Sequence, residues 1–150
     1  ADLFADEFAV DALTAHGFIA LEDKRPKDAA GFFEKALARI PDHARAWAGL
    51  AQARRRMSDE AGEREARARG EAGRRDLTSH GREGEAVTAG MLECLLDGDI
   101  NDACALATEF LGRTTPSFYL ASLPVEPWMR PFVNDKRVAA VLATLAERAK

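Results

Sequence analysis

Few side chains in this sequence stand at the spacings that catalysis or metal binding requires. His16, His43 and His80 lie far apart and repeat no metal-ligand spacing. Neither a phosphate-binding glycine loop nor a nucleophile elbow is present. The acidic stretch from Asp97 to Asp102 has only a superficial likeness to a calcium loop, because the twelfth loop position carries no glutamate. We therefore expect no enzyme activity, no metal and no cofactor.

The two cysteines are the only nucleophiles that invite a redox interpretation. Cys94 and Cys104 flank the turn Asp97-Gly98-Asp99, so an antiparallel pair of helices would bring the thiols near each other. A thiol-based redox sensor is therefore one interpretation. The stronger one is that both are small buried apolar side chains, since they lie on apolar helix faces and no Cys-x-x-Cys motif accompanies them. Two cysteines are too few for a disulfide framework, which favours a cytoplasmic protein.

Composition and charge exclude several classes of function. The 150 residues carry a net charge of -4, which leaves no excess of cations for nonspecific nucleic-acid binding. No apolar run reaches the roughly 18 residues that cross a bilayer, so we expect no membrane association. Alanine, the best helix former, far outnumbers valine, isoleucine and threonine. These features predict a single all-α domain.

Hydrophobic periodicity predicts the first three helices. The first carries an apolar stripe at intervals of three or four residues, formed by Phe4, Phe8, Ala12, Ala15 and Ile19. Pro26 suits the first turn of the second helix, and Pro41 ends it. The third helix is expected from about His43 to Met57.

The middle of the chain differs from both ends in being highly charged. Between Ser58 and Arg82 acidic residues precede arginines by four positions, as in Glu63–Arg67, an order that supports an exposed helix by about 0.2–0.5 kcal/mol a pair. Four glycines weaken this helix, and we expect a loop or hinge over residues 76–85.

The C-terminal half predicts two antiparallel helices around the Asp97–Asp99 turn, then proline-rich turns and a last helix. The turns span Thr114 to Pro131, with a short helix around Trp128, whose side chain we expect to plug the end of the fold. The last helix begins at about Asp135. Its inward face is expected to hold Val138, Val141, Leu142 and Leu145.

A repeat of 34 residues is the strongest signal in the chain. Gly17, Ala29, Phe33, Ala36 and Pro41 are followed one period later by an equivalent start, formed by Trp47, Leu50 and Ala51. This pattern resembles the tetratricopeptide repeat, with the firm likeness over about residues 10–57. The resemblance implies pairs of antiparallel helices in which Phe33 is buried between successive pairs, with Trp47 across from it.

The resemblance weakens beyond the first repeat and a half. Repeat 1 covers residues 10–43 and repeat 2 covers 44–77, but Glu63, Arg67 and Gly70 replace the expected small and aromatic residues of its second helix. A divergent pair follows at 84–117, closed near Pro116, and 118–150 resemble the capping end of bacterial tetratricopeptide adaptors and regulators. We predict an all-α, right-handed array of antiparallel helix pairs with a C-terminal capping helix.

The resemblance implies a noncatalytic adaptor or scaffold that binds a peptide or a partner helix in a concave groove. In this register the first helix of each pair lines the groove. The candidate contact residues are Thr14, Phe18, Arg45, Gln52, Arg55 and Arg56. Such a surface places an apolar shelf beside arginines, which suits an acidic partner or one bearing a carboxylate. Self-association stays open.

A different interpretation starts from the first residue. The chain begins with alanine rather than methionine. It therefore also fits the regulatory or sensory C-terminal part of a larger bacterial signalling protein or transcriptional regulator.

Overall fold

The computed structural model describes the backbone of residues 3–113 and 123–148, and within these ranges it contains seven α-helices and no strand. The predicted all-α class is confirmed. The helices are α1 (Leu3–Glu22), α2 (Pro26–Arg39), α3 (Ala44–Arg56), α4 (Glu60–Ser79), α5 (Glu83–Leu96), α6 (Ile100–Arg113) and α7 (Lys136–Arg148). None of these helices is both long and apolar enough to cross a bilayer. The side chain of Phe4 and the closing proline Pro116 lie outside the described residues.

The chain forms two compact units, unit 1 (Ala1–Gly73) and unit 2 (Arg74–Lys150). In unit 1, helices α1, α2 and α3 pack against one another. Their core is built mostly from alanine, with a few large side chains filling the gaps. The larger buried residues are Val10, Phe18, Leu21, Phe33, Leu37 and Leu50. Small residues let the helix axes approach closely, so one aromatic ring fills much of the space between them.

Four of the five connections that join α1 to α6 share one closing geometry. In each, a residue at positive φ is followed by a backbone N–H that donates to the carbonyl five residues earlier, the Schellman closure of a helix. The residues at positive φ are Lys24, Ser58, Gly81 and Gly98. Lys24 and Ser58 lie 34 residues apart, so the two hairpins of the predicted repeat turn at equivalent positions.

The expected loop over residues 76–85 is wrong. Helix α4 continues to Ser79 and α5 begins at Glu83, so the connection is short. Two features close it: Gly81 adopts a φ of 75°, and the hydroxyl of Ser79 donates to the carbonyl of Asp76. The glycines that suggested a weak helix have another role. A Cβ on Gly70 would lie 3.3 Å from Cβ of Trp47, so Gly70 permits close packing of α4 on α3.

In unit 2, α5 packs on α6 and α6 packs on α7. Two short 3₁₀ turns, Leu123–Val125 and Pro127–Met129, precede α7. Trp128 and Met129 are buried, which confirms that they fill the interior of this end. On α7, Val138, Val141 and Leu145 are buried and Leu142 is half-buried. Asp135 caps the helix, because its carboxylate accepts from the backbone N–H of Arg137 at 2.8 Å.

Candidate recognition surface

Phe33 lies at the junction of the three helices of unit 1. Its ring is fully buried and contacts the ring of Phe18 edge-on, with 5.0 Å between centroids. A Cβ on Gly17 of α1 would lie 2.6 Å from this ring, and one on Gly49 of α3 would lie 2.3 Å from it. The ring is therefore held between two bare stretches of helix backbone. The predicted burial of Phe33 is confirmed, and Ala29 and Ala36 beside it are also fully buried.

The sequence interpretation did not identify Gly49. It assigned the small position after the tryptophan to Ala51, although Gly49 stands sixteen residues after Phe33, as Gly17 stands sixteen residues before it. That symmetry is a signal in the sequence. The structure explains this symmetry, because the ring of Phe33 lies between α1 and α3 and both glycines face it.

Trp47 is placed differently from the prediction. The indole N–H donates to the carbonyl of Pro41 at 2.8 Å, and the guanidinium of Arg69 lies 5.6 Å from the ring centroid, over its face. Trp47 is half-buried and joins the α2–α3 connection to α4. Its ring therefore stabilises the second hairpin from the α4 side rather than lying opposite Phe33.

Two arginines of α3 connect it to α1. The guanidinium of Arg45 pairs with Asp11, 34 residues earlier, at 3.2 Å. The guanidinium of Arg56 donates at 2.6 Å to the carbonyl of Leu21, in the last turn of α1, where helix carbonyls lack intrahelical partners. These two contacts therefore connect the first helices of the two predicted repeats, one near each end of α3.

Three of the predicted contact residues are packed inside unit 1. Thr14 and Phe18 are each 3% exposed and Gln52 is 9% exposed. The Thr14 hydroxyl donates to the carbonyl of Val10 in its own helix. These side chains do not present a surface to a partner in this arrangement, because they lie on helix faces that pack inside unit 1, where Phe18 contacts Phe33. The expectation that they contact a partner directly is corrected accordingly.

The other three predicted residues keep part or all of their side chains accessible to solvent. Arg55 and Arg56 are exposed at the end of α3, and Arg45 is half-buried beside Asp11. Residues 44–77 contain nine arginines, no lysine and six acidic residues, so this stretch is positive in a chain of net charge -4. Arginine binds carboxylates with two parallel N–H groups, which lysine cannot do. The arginine surface, defined here as Arg45, Arg55 and Arg56, can attract and orient a carboxylate.

At the positions where α2 carries Ala29 and the buried ring of Phe33, α4 carries an ion pair. Glu63 and Arg67 stand one period after Ala29 and Phe33, and their side chains pair at 3.0 Å while partly buried. A partly buried ion pair contributes less to stability than a buried aromatic ring of similar size. The second hairpin is therefore held by Gly70, by Trp47 and by the contacts of Arg54 with the Gly62 carbonyl and Glu65.

The cysteines lack the electrostatic setting of reactive thiols. Burial is the main cause that raises the pKa of Cys94 above its ordinary value, and Asp102 and Glu93 raise it further. Burial also raises the pKa of Cys104, with Asp135 adding to it. A raised pKa lowers the fraction of thiolate, which is the nucleophile. This environment argues against the redox-sensor interpretation.

Metal binding and similarity to known proteins add no candidate site. Among the described residues, no group of three histidine, cysteine or acidic side chains is arranged to hold a metal ion. The ring of His43 accepts from the backbone N–H of Ala46 and caps α3.

Comparison of the chain with family models, with curated proteins and with solved structures found no match.

Proposed function

We propose that this chain is a noncatalytic protein-recognition module built from tetratricopeptide-like helix pairs, and that it binds an acidic segment of a partner through the arginine surface. The observation that carries this proposal is the structural period of 34 residues in unit 1. The turns at Lys24 and Ser58 and the pairing of Asp11 with Arg45 all follow it.

The close packing of unit 1 supports a role in recognition. Phe33 is enclosed by the backbones of α1 and α3, and hydrogen bonds from Arg45 and Arg56 connect these helices. A surface that is ordered before binding loses little conformational entropy when a partner docks. Arg55 therefore lies on a helix whose position is already set by the core.

The chemistry of the partner follows from the arginines. Arg56 uses one N–H group on the Leu21 carbonyl, and Arg45 pairs with Asp11. A guanidinium presents its N–H donors in a planar fork that can pair with both oxygens of a carboxylate. An acidic peptide or the acidic face of a helix would bring such a carboxylate to this surface, at Arg55 in the exposed last turn of α3.

The test is selection of peptides from a displayed random library on the immobilised full chain. We expect the selected peptides to be enriched in aspartate and glutamate. Arg55→Glu is expected to weaken their binding at least about tenfold, since it replaces attraction by repulsion at an exposed site. Binding is measured by fluorescence anisotropy of the labelled peptides.

Arg64→Glu is the matched control, because Arg64 is also an exposed helix arginine but lies on α4, outside the arginine surface. It changes the net charge by the same amount and is expected to leave binding within about twofold. Peptides without acidic residues, or equal weakening by Arg55→Glu and Arg64→Glu, would contradict the proposal. Circular dichroism of both variants checks that the fold is retained.

A further inference from the structure

Helix α1 has a second apolar face that the fold of unit 1 leaves open. This face, named here the outer seam, consists of Ala5, Phe8, Ala12, Ala15 and Ile19. Phe8 is 76% exposed, Ala5 and Ala12 are exposed, and Ala15 and Ile19 are half-buried. The stripe that predicted α1 from the sequence is therefore not the face that packs on α2 and α3.

The buried face of α1 lies on the other side of the helix. It holds Val10, Thr14, Gly17, Phe18 and Leu21. A helix that is apolar on both sides is usually covered on both sides. The outer seam repeats at alternating steps of three and four residues, the spacing at which two helices pack side by side with their seams in continuous contact. Its three alanines allow the two backbones to approach closely.

The two edges of the outer seam carry different chemistry. On one edge Asp11 keeps 66% of its side chain exposed, although it pairs with Arg45. On the other edge the exposed ring of His16 stacks on Phe32 at 5.5 Å, and Nζ of Lys35 lies 5.9 Å from the centroid of Phe32. One edge therefore accepts hydrogen bonds, whereas the other offers N–H donors.

We infer that a second copy of this chain covers the outer seam, with the two α1 helices side by side and parallel about a two-fold axis. A parallel two-fold pair brings the Asp11 edge of one helix against the His16 edge of the other. In this register Asp11 of one copy faces His16 of the second copy, five residues later, with Lys35 nearby. An antiparallel pair would instead bring the two Asp11 edges together, where like charges repel.

The pairing also accounts for the large side chains of the seam. In the parallel register each residue of the seam meets its own equivalent, so Phe8 packs on Phe8 in one half of the seam and Ile19 packs on Ile19 at the opposite end. Ala12 meets Ala12 between them, where the helices come closest. This inference goes beyond the proposed recognition of a partner, because the outer seam and the arginine surface share no residue.

Sedimentation equilibrium of the full chain over a range of concentrations tests the association. We expect a dimer whose dissociation constant rises about 100-fold or more in Phe8→Glu, since two exposed phenylalanines lose their cover and two charges are buried. Val125→Glu is the matched control. Val125 is another apolar side chain, 82% exposed, in unit 2, and its replacement is expected to leave the dimer unchanged.

Cross-linking tests the orientation. In a Cys94→Ser, Cys104→Ser background, Ala5→Cys is expected to form a disulfide between copies upon oxidation, because a parallel pair places the two residues opposite each other. In an antiparallel pair they would lie at far ends of the seam. A monomer at all concentrations, a dimer that Phe8→Glu leaves intact, or a dimer in which Ala5→Cys does not cross-link would each overturn the inference. Circular dichroism of Phe8→Glu separates loss of pairing from loss of fold.

Discussion

Replacing Gly49 with alanine is expected to destabilise unit 1, although alanine is the better helix former. The new Cβ would lie 2.3 Å from Cζ of Phe33, far inside van der Waals contact. The ring cannot move away, because it is fully buried and Gly17 borders it on the other side. Overpacking costs about 1–3 kcal/mol, whereas helix propensity returns about 1 kcal/mol. The difference between the two terms is about 0–2 kcal/mol. Because helix backbone borders the ring on both sides, we expect a net loss in the upper half of that range, about 1–2 kcal/mol.

Gly31→Ala is the matched control. Gly31 lies in α2, and a Cβ built on it meets no atom within 4 Å. The same chemical change there is expected to stabilise unit 1 by about 0.5–1 kcal/mol, since only the helix-propensity term remains. Urea unfolding measures both variants. Fluorescence of Trp47 in a Trp128→Phe background reports unit 1 alone, which matters because two compact units need not unfold together.

A double-mutant cycle tests whether the ring is the cause. Leucine in place of Phe33 removes the ring atoms that the new methyl group would meet. Phe33→Leu is expected to destabilise the parent chain through the cavity it leaves, but to cost less in the Gly49→Ala background, with a coupling of about 1 kcal/mol or more. Equal stability of Gly49→Ala and Gly31→Ala, or a coupling near zero, would refute the enclosed-ring interpretation.

Two further predictions concern unit 2. The hydrogen bonds of Arg137 lower the pKa of Asp135 from 3.8 to about 2, so the stabilisation by this carboxylate is complete above pH 3.8 and disappears as the pH falls towards 2. The stabilities of the parent chain and of Asp135→Asn, measured by acid unfolding, should therefore converge over that interval. A constant difference in stability would contradict the assignment. Burial raises the pKa of Cys94 and Cys104, so alkylation near neutral pH should be much slower in the native than in the urea-unfolded protein; equal rates, followed by mass spectrometry, would restore the redox-sensor interpretation.

Local patterns predicted the helices well, because helix formation depends on neighbours a few residues apart. Pro26 at the start of α2 and the polar turn before Gly98 needed no tertiary information. The same local reasoning failed for residues 76–85. Sequence reasoning treats the glycines from Gly70 onward as signs of a weak helix, whereas Gly70 and Gly73 are places where α4 lies close to the Asp42–Ala48 segment. The sequence alone does not distinguish a glycine that weakens a helix from one that allows a neighbouring helix to pack closely.

The candidate site was predicted only in part, for a similar reason. The repeat register named Thr14, Phe18 and Gln52 as surface residues, and all three are buried. The repeat register gives the side of a helix that a residue occupies, but the structure packs this side of α1 and α3 inside unit 1, and periodicity alone does not show which side the neighbouring helices cover. The arginines were less sensitive to this, because a long charged side chain extends to solvent from a tightly packed helix.

By itself, the sequence determined the all-α class, the positions of most helices, the 34-residue period and the burial of Phe33, since each depends on residue type and spacing along one chain. Only the tertiary structure decided which face of α1 is covered, because both of its faces are apolar and periodicity does not choose between them. The enclosure of Phe33 by Gly17 and Gly49 was decided there too. Such choices depend on how closely helices distant in sequence approach, and that distance is set by small residues on all of them at once.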